Sequence, residues 1–137
     1  MPLRGLLEAQ LAAFSKQFDI GGAEVTLRHG AALKLTILFH ELTVNAANYG
    51  ALSVPEGRLS IRWTIDKNIH PAVLFFLWEE TGGPSVAPPT HTGFGRMMIE
   101  QIARELGKPR SNYAPAGLKH ELELLLDEIG WIREWSS

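Results

Sequence analysis

The chain has 137 residues, of which 45% are hydrophobic and 20% charged, a composition typical of a single globular domain with its own core. Its 13 basic and 15 acidic residues give a formal net charge of −2, which argues against a basic surface for nucleic acid or anionic membrane. With no cysteine, the sequence excludes a disulfide framework, a thiol nucleophile and a thiolate zinc site, and it is compatible with a reducing cytoplasm.

The start of the chain lacks the apolar run and cleavage site of a signal peptide. No stretch approaches the roughly 20 apolar residues that a membrane span requires. We therefore expect one cytoplasmic domain over residues 1–137, with no membrane contact.

The first half of the chain predicts two helices and a strand. Residues 3–16 place leucines at helical spacing, which predicts a short amphipathic helix that ends near FDIGG. The sequence AEVTLR alternates and is β-branched, as expected for a strand. From Gly30 to Asn48 the chain is mostly apolar and predicts a long internal helix, which Gly50 is well placed to close.

The second half predicts a hairpin, a helix and a final strand. GRLSIRWTID alternates apolar and polar residues, KNIHP is a turn, and AVLFFLWEE is a continuous apolar strand. GFGRMMIEQIAREL predicts a helix opened by glycines, SNYAPAG a turn, and LKHELELLL the last strand. This order favours an α+β fold with a helix layer on a mixed or antiparallel sheet.

The C-terminal tail, residues 128–137, has its own pattern. Ile129, Ile132 and Trp135 fall on one side of a helix, which predicts a helical tail that covers the sheet of this domain.

Three polar residues of the long helix, Glu41, Asn45 and Asn48, are spaced by four and three. They therefore lie along one stripe of the helix surface. A solvated stripe and a site for a hard cation with phosphates are about equally compatible with this spacing. Magnesium prefers oxygen ligands and retains several waters and substrate phosphates, so a single carboxamide from the protein can suffice.

The sequence LWEETGGP ends the second hairpin strand with Glu80, followed by Gly82 and Gly83. In isolation a charged strand end and a tight turn are the commoner interpretation. The alternative is that Glu80 accepts a hydrogen bond from an exocyclic amine, while the glycines allow the backbone to approach a flat ring.

The sequence TGFGRMMIE opens the second long helix at Gly93 and Gly95. The simpler interpretation is a loop-to-helix junction that needs positive φ; the functional one is a set of exposed amides that bind phosphate at a helix N-terminus. No Walker A or Rossmann pattern is present. The intervening SVAPPTHT has the composition of a mobile flap.

In this order, HELTVNAANYGALS, WEETGGP and GFGRMMIE resemble the catalytic ATP-binding domain of the HWE family of bacterial sensor histidine kinases. The three letters of the family name fall on His40, Trp78 and Glu80, and the resemblance extends from about Leu3 to Leu126. It implies a two-layer α/β sandwich of the Bergerat (GHKL) type, with a mixed, mostly antiparallel sheet under about three helices, and with ATP and Mg²⁺ as cofactors.

The resemblance also implies residue roles. Asn45 would ligate magnesium, and Glu41 would polarise or deprotonate the acceptor imidazole. His40 is a candidate ligand or base, although a satisfied core histidine is the simpler interpretation. The positions that would bind the nucleotide are Asn45, Asn48, Tyr49, Glu80, Gly82, Gly83, Gly93, Phe94 and Gly95.

The chain departs from the family pattern at two positions. Asn48 stands where Lys is usual and Met97 where Arg is usual, so two cations are missing beside the phosphates. Charge-assisted contacts of this type contribute about 1.5–3 kcal/mol each. Met97 and Met98 are interpreted as core-facing residues.

The resemblance implies a partner. A sensor kinase carries its phosphoacceptor histidine on a dimerisation domain and passes the phosphoryl group to a response regulator. Only residues 1–16 could be the remnant of such a helix or linker, so we expect either a truncated piece of a longer kinase or a free-standing domain that acts on a partner. In isolation it should bind ATP without labelling itself. The alternatives are a degenerate nucleotide-binding or docking module and a free-standing serine kinase of an anti-sigma system, although the E-x-G-G-P motif favours the histidine kinases.

Overall fold

A computed structural model of the chain describes residues 1–84, 94–114 and 117–132. These residues form four α-helices and seven strands. In chain order the elements are α1 (Leu3–Leu11), β1 (Phe18–Gly21), β2 (Val25–Leu27), α2 (His29–Tyr49), β3 (Arg58–Asp66), β4 (Val73–Thr81), α3 (Phe94–Leu106), β5 (Lys108–Ala114), β6 (Gly117–Leu125), α4 (Leu126–Ile129) and β7 (Gly130–Ile132). Short 3₁₀ turns follow α1 and α2, at Ala12–Phe14 and Ala51–Ser53.

The main sheet is mixed and has five strands in the order β1-β3-β4-β6-β5. Strand β1 runs parallel to β3, and the other pairs are antiparallel. The predicted hairpin is present as β3 and β4, with Ile61 opposite Trp78 and Leu59 opposite Glu80. The expected α+β fold with a mixed, mostly antiparallel sheet is therefore confirmed, with four helices where about three were expected.

The core lies between the helices and one face of this sheet. Leu59, Ile61 and Trp63 of β3 alternate with exposed or half-buried residues, as the sequence pattern predicted. The long helix α2 is buried along one side, where Phe39 stacks on Phe76 of β4 with ring centroids 5.4 Å apart. No helix in the described part of the chain is both long enough and apolar enough to cross a membrane.

The secondary structure predicted for three segments is wrong. Ser111–Ala114, interpreted as part of a turn, belong to β5 and pair with β6 at the edge of the sheet. Asp19–Gly21, interpreted as the end of a helix, belong to β1, whose parallel pairing with β3 supplies backbone partners that composition cannot reveal.

The C-terminal tail is the third segment whose predicted structure is wrong. Instead of one helix, the chain forms the short helix α4 and then β7, which pairs with β2 in a second, two-stranded sheet. Ile129 and Ile132 are both buried, so the tail does cover the core, by way of a strand. Trp135 lies outside the described residues.

Candidate functional site

Helix α2 carries the three predicted polar residues along one side. Glu41 and Asn45 are half-buried, and Asn48 is exposed. In the part of the chain that the structure describes, none of these three side chains has a hydrogen-bond or ion-pair partner. Their carboxylate and carboxamide groups are therefore free to contact a ligand.

The C-terminal end of α2 is fixed against strand β4. The Gly50 N–H donates to Ala46 O at 3.0 Å and closes the helix, as the sequence predicted. A Cβ atom at Gly50 would lie 2.1 Å from Glu80 Oε1, which is closer than any real contact. A side chain at this position would displace the Glu80 carboxylate from its present hydrogen bonds.

Glu80 lies at the end of β4 and is buried, with only 4% of its surface exposed. Its Oε1 accepts a hydrogen bond from the Ala51 N–H at 3.0 Å, and its Oε2 accepts one from Trp78 Nε1 at 2.9 Å. Burial raises the pKa of Glu80, and these two hydrogen bonds lower it in part. A carboxylate oxygen can accept more than one hydrogen bond, so the group retains capacity for a ligand donor.

The turn after β4 packs on the loop after α2. Gly82 has φ +71°, and a Cβ atom there would lie 2.7 Å from Glu56 O. A Cβ atom at Gly83 would lie 2.8 Å from Ala51 Cα. Both glycines are therefore needed for the close approach of two backbone segments, which agrees with a turn and leaves their proposed role beside a flat ring as a prediction.

The polar stripe lies on the helix whose C-terminal end contacts Glu80. Asn45 precedes Gly50 by about 1.4 helical turns, about 7.5 Å along the helix axis. Because Gly50 and Ala51 contact Glu80 directly, the structure brings the two halves of the predicted site, on α2 and at the end of β4, to the same region.

The other predicted residues of α2 are exposed. Tyr49 is 69% exposed. His40 is also exposed, and its Nδ1 lies 3.3 Å from Gln10 Oε1 of α1. The interpretation of His40 as a core group is therefore wrong, because its side chain is exposed on the surface of α2.

The glycine cluster before α3 is described only in part. Helix α3 begins at Phe94, so Phe94 and Gly95 lie in its first turn, as predicted. Gly93 and the predicted flap lie outside the described residues, and the phosphate-binding role of this cluster stays a prediction. Met97 is 59% exposed, so its assignment to the core is wrong, whereas Met98 is half-buried.

Two residues that support the site were given no role from the sequence: Trp78, named only for the family pattern, and Gln17. Trp78 is fully buried and donates to Glu80; the spacing W-x-E, which puts both side chains on one face of a strand, could have indicated this contact. The Gln17 side chain donates hydrogen bonds to carbonyl groups of the loop after α2. No local sequence signal marks Gln17, because its contacts lie far away along the chain.

Two cavities formed by described residues lie elsewhere. One, of about 440 Å³, is on the open face of the sheet around Phe75 and Leu77. The other, of about 210 Å³, lies between α3 and the β5–β6 edge, beside Ser111 and His120. We assign the site to the region of α2 and Glu80 because unpartnered polar groups and a buried carboxylate meet there.

A metal at this site would depend on few protein ligands. Among the described residues, no group of three or more His, Asp or Glu side chains is placed to hold a metal ion. Asn45 offers a half-buried carboxamide oxygen with no protein partner, which fits a magnesium ion whose other ligands are water and phosphate.

Comparison with known proteins gives consistent results. No protein-family model matches the chain. The chain is 33% identical over 119 residues to a blue-light-activated histidine kinase of Brucella anthropi, a match that covers 82% of the chain and 24% of that protein. The chain thus spans about a quarter of the length of this curated relative.

Solved structures show the same fold. The histidine kinase domain of a blue-light-activated histidine kinase from Erythrobacter litoralis superposes with a TM-score of 0.75 at 16% identity, covering 93% of this chain and 67% of that one. The catalytic domain of histidine kinase ThkA gives a TM-score of 0.61 at 15% identity, covering 91% and 94%.

Proposed function

This chain is a relative of blue-light-activated histidine kinases and has the fold of histidine kinase catalytic domains, and on that premise we propose that it is the ATP-binding catalytic domain of an HWE-family sensor histidine kinase. The observation that supports this most strongly is the meeting of the α2 end with the buried Glu80 carboxylate, beside a stripe of unpartnered polar groups. A purine and a triphosphate require two such subsites within the length of one nucleotide.

We assign the base to Glu80 and the Gly82–Gly83 turn. The Trp78 and Ala51 donors hold the carboxylate in place. Its remaining lone pairs would then accept a hydrogen bond from the exocyclic amine of adenine. A 6-oxo purine presents an acceptor at that position and would be rejected, since two acceptors would then face each other in a buried site.

We assign the phosphates to the Asn45 and Asn48 side of α2, together with the glycines at the start of α3. Asn45 would hold magnesium through its carboxamide oxygen. Bound there, the ion would neutralise charge on the phosphates, which is the main requirement of phosphoryl transfer.

Glu41 lies one turn before Asn45 on α2 and would act on the acceptor. In the proposed reaction the bond between the γ-phosphorus and its bridging oxygen breaks, ADP leaves, and a bond forms from phosphorus to an imidazole nitrogen. Glu41 would accept the proton that the imidazole loses, or orient the ring by a hydrogen bond. His40, exposed one residue earlier, is a second candidate for contact with the acceptor.

The partner is a dimerisation domain that carries the phosphoacceptor histidine, and through it a response-regulator aspartate. We propose that the reaction takes place in the cytoplasm, where ATP is supplied. The isolated chain should bind ATP without labelling itself.

Calorimetry with ATP, with and without magnesium, tests this proposal on wild type, Asn45→Ala and Glu80→Gln. We expect wild type to bind with magnesium and both variants to lose at least about tenfold in affinity, roughly 1.4 kcal/mol. Asn112→Ala, at an exposed asparagine of β5, is the matched control and should bind as wild type does. A wild-type chain that binds no nucleotide would refute the proposal, and transfer to a supplied acceptor domain would extend it from binding to catalysis.

A further inference from the structure

The loop that follows α2, residues 50–57, forms one wall of the proposed base subsite. Its Ala51 N–H donates to Glu80, and its Glu56 O and Ala51 Cα are the atoms against which Gly82 and Gly83 pack. The position of this loop therefore decides where the Glu80 carboxylate and the glycine turn lie.

Bonds within the loop are local. Ser53 N and Ser53 Oγ both donate to Gly50 O, at 3.0 and 2.6 Å, and Gly57 N donates to Val54 O at 3.2 Å. Such bonds shape the loop without fixing its position relative to the sheet.

Besides the Ala51–Glu80 bond, Gln17 supplies a second long-range connection. Its Nε2 donates to Val54 O at 2.8 Å and to Gly57 O at 3.1 Å, and it lies 3.5 Å from Ala51 O. A carboxamide has two N–H donors, so the first two contacts use both and the third is weak.

The main chain of Gln17 is itself fixed to the sheet. Its carbonyl accepts a hydrogen bond from Leu59 N at 2.8 Å, which continues the pairing of β1 with β3, and its N–H donates to Phe14 O at 2.8 Å. The half-buried Gln17 side chain thus links the loop to the edge of the main sheet.

We propose that Gln17 is a positioning residue for the base subsite: it does not contact the nucleotide, but it holds the 50–57 loop where Glu80 can select adenine. This inference rests on the proposed function. It predicts that loss of the Gln17 donors reduces the preference for adenine more than it reduces the stability of the folded chain.

The test measures dissociation constants for ATP and GTP on the full chain, well below the unfolding temperature. Two variants remove the contact differently: Gln17→Met keeps the length of the side chain without donors, and Gln17→Asn keeps the amide without the reach. Each should weaken ATP binding by about tenfold and reduce the preference for ATP over GTP by a similar factor, as expected when a carboxylate loses its placement.

Arg58→Met is the matched control. Arg58 also donates to loop carbonyls, at Pro55 O (3.1 Å) and Gly57 O (2.8 Å), but it is exposed and spans only one to three residues. We expect its affinity and its ATP preference to stay within about twofold of wild type, because a local exposed contact does not fix the loop to the sheet.

The outcomes separate the inference from the function on which it rests. Folded Gln17 variants that retain the wild-type preference for ATP would overturn the positioning role and leave the proposed function intact. If only one of the two variants folds, its preference for ATP over GTP is the deciding result. Two variants that both fail to fold would show that Gln17 serves folding, which also overturns the inference. A wild-type chain that binds no ATP would instead refute the proposed function.

Discussion

At the scale of single residues, the environment of Glu80 differs most from the one that the sequence predicted. The sequence predicted a carboxylate at the mouth of a strand, open to a ligand. The structure buries it and engages both oxygens, with the Trp78 indole and the Ala51 amide. The residue type and the strand end could be predicted, but the Ala51 contact could not, because it depends on how α2 ends over the sheet.

The raised pKa of Glu80 predicts a pH dependence of stability. Its pKa in the unfolded chain is near 4.5 and burial raises it in the folded state, so the folded protein binds the proton more tightly. The stability from this group is therefore complete below about pH 4.5 and is lost as the pH rises through the folded pKa. Urea unfolding of wild type and Glu80→Gln from pH 4 to 8 should show this slope in wild type only. Parallel profiles would contradict the assignment.

The exposed side chain of Asn48 allows a second prediction about a single residue. It is exposed on the polar stripe, at the position where the resembled family carries lysine. Asn48→Lys should tighten ATP binding in magnesium by about 1.5 kcal/mol, because it adds a charge-assisted phosphate contact. Calorimetry at low and high salt checks this, with adenosine as the control ligand whose affinity should not change. An equal gain for adenosine would exclude a role beside the phosphates.

At the scale of elements, the sequence predicted those whose pattern is set by burial. Strand β3 alternates because one of its faces is buried, whereas α2 and β4 are apolar over most of their length. Strand β5 was missed because it is an edge strand of mostly exposed residues, with Ser111 and Asn112 that read as a turn. Pairing with β6 outweighs such local preferences.

The junction of α2 with β4 yields a matched pair of glycine substitutions in or next to one helix. Gly50→Ala places a Cβ 2.1 Å from Glu80 Oε1, so we expect a loss of about 1–3 kcal/mol in unfolding free energy. Gly30→Ala, in the first turn of α2, meets nothing within 4 Å and should raise stability by up to about 1 kcal/mol, since alanine favours helix. Denaturant unfolding measures both, and equal effects would contradict the contact with Glu80.

At the scale of the whole molecule, the second sheet joins distant parts of the chain. Strand β7 pairs with one side of β2, and Pro2 forms a bridge with Thr26 of β2 on the other. The sequence placed buried isoleucines in the tail but assigned them to a helix, because a spacing of three residues fits a helix as well as a chain that passes from α4 into β7.

Two neighbouring residues test the role of this tail. Ile132 is 1% exposed and Trp131 is 46% exposed, although both belong to β7. Ile132→Ala should cost about 2–5 kcal/mol of unfolding free energy, whereas Trp131→Ala should cost less than about 1 kcal/mol. Deletion of residues 128–137 should destabilise at least as much as Ile132→Ala. A deletion variant with wild-type stability in urea would show that the tail is dispensable.

The attachment of both ends to β2 has a mechanical consequence. Tension applied between residue 1 and residue 132 acts first on the two short pairings beside Thr26, which are loaded from opposite sides of one three-residue strand. The five-stranded sheet and the contact of α2 with β4 stay outside that load path until β2 gives way. Such tension should therefore separate the two-stranded sheet before it disturbs the α2–β4 junction.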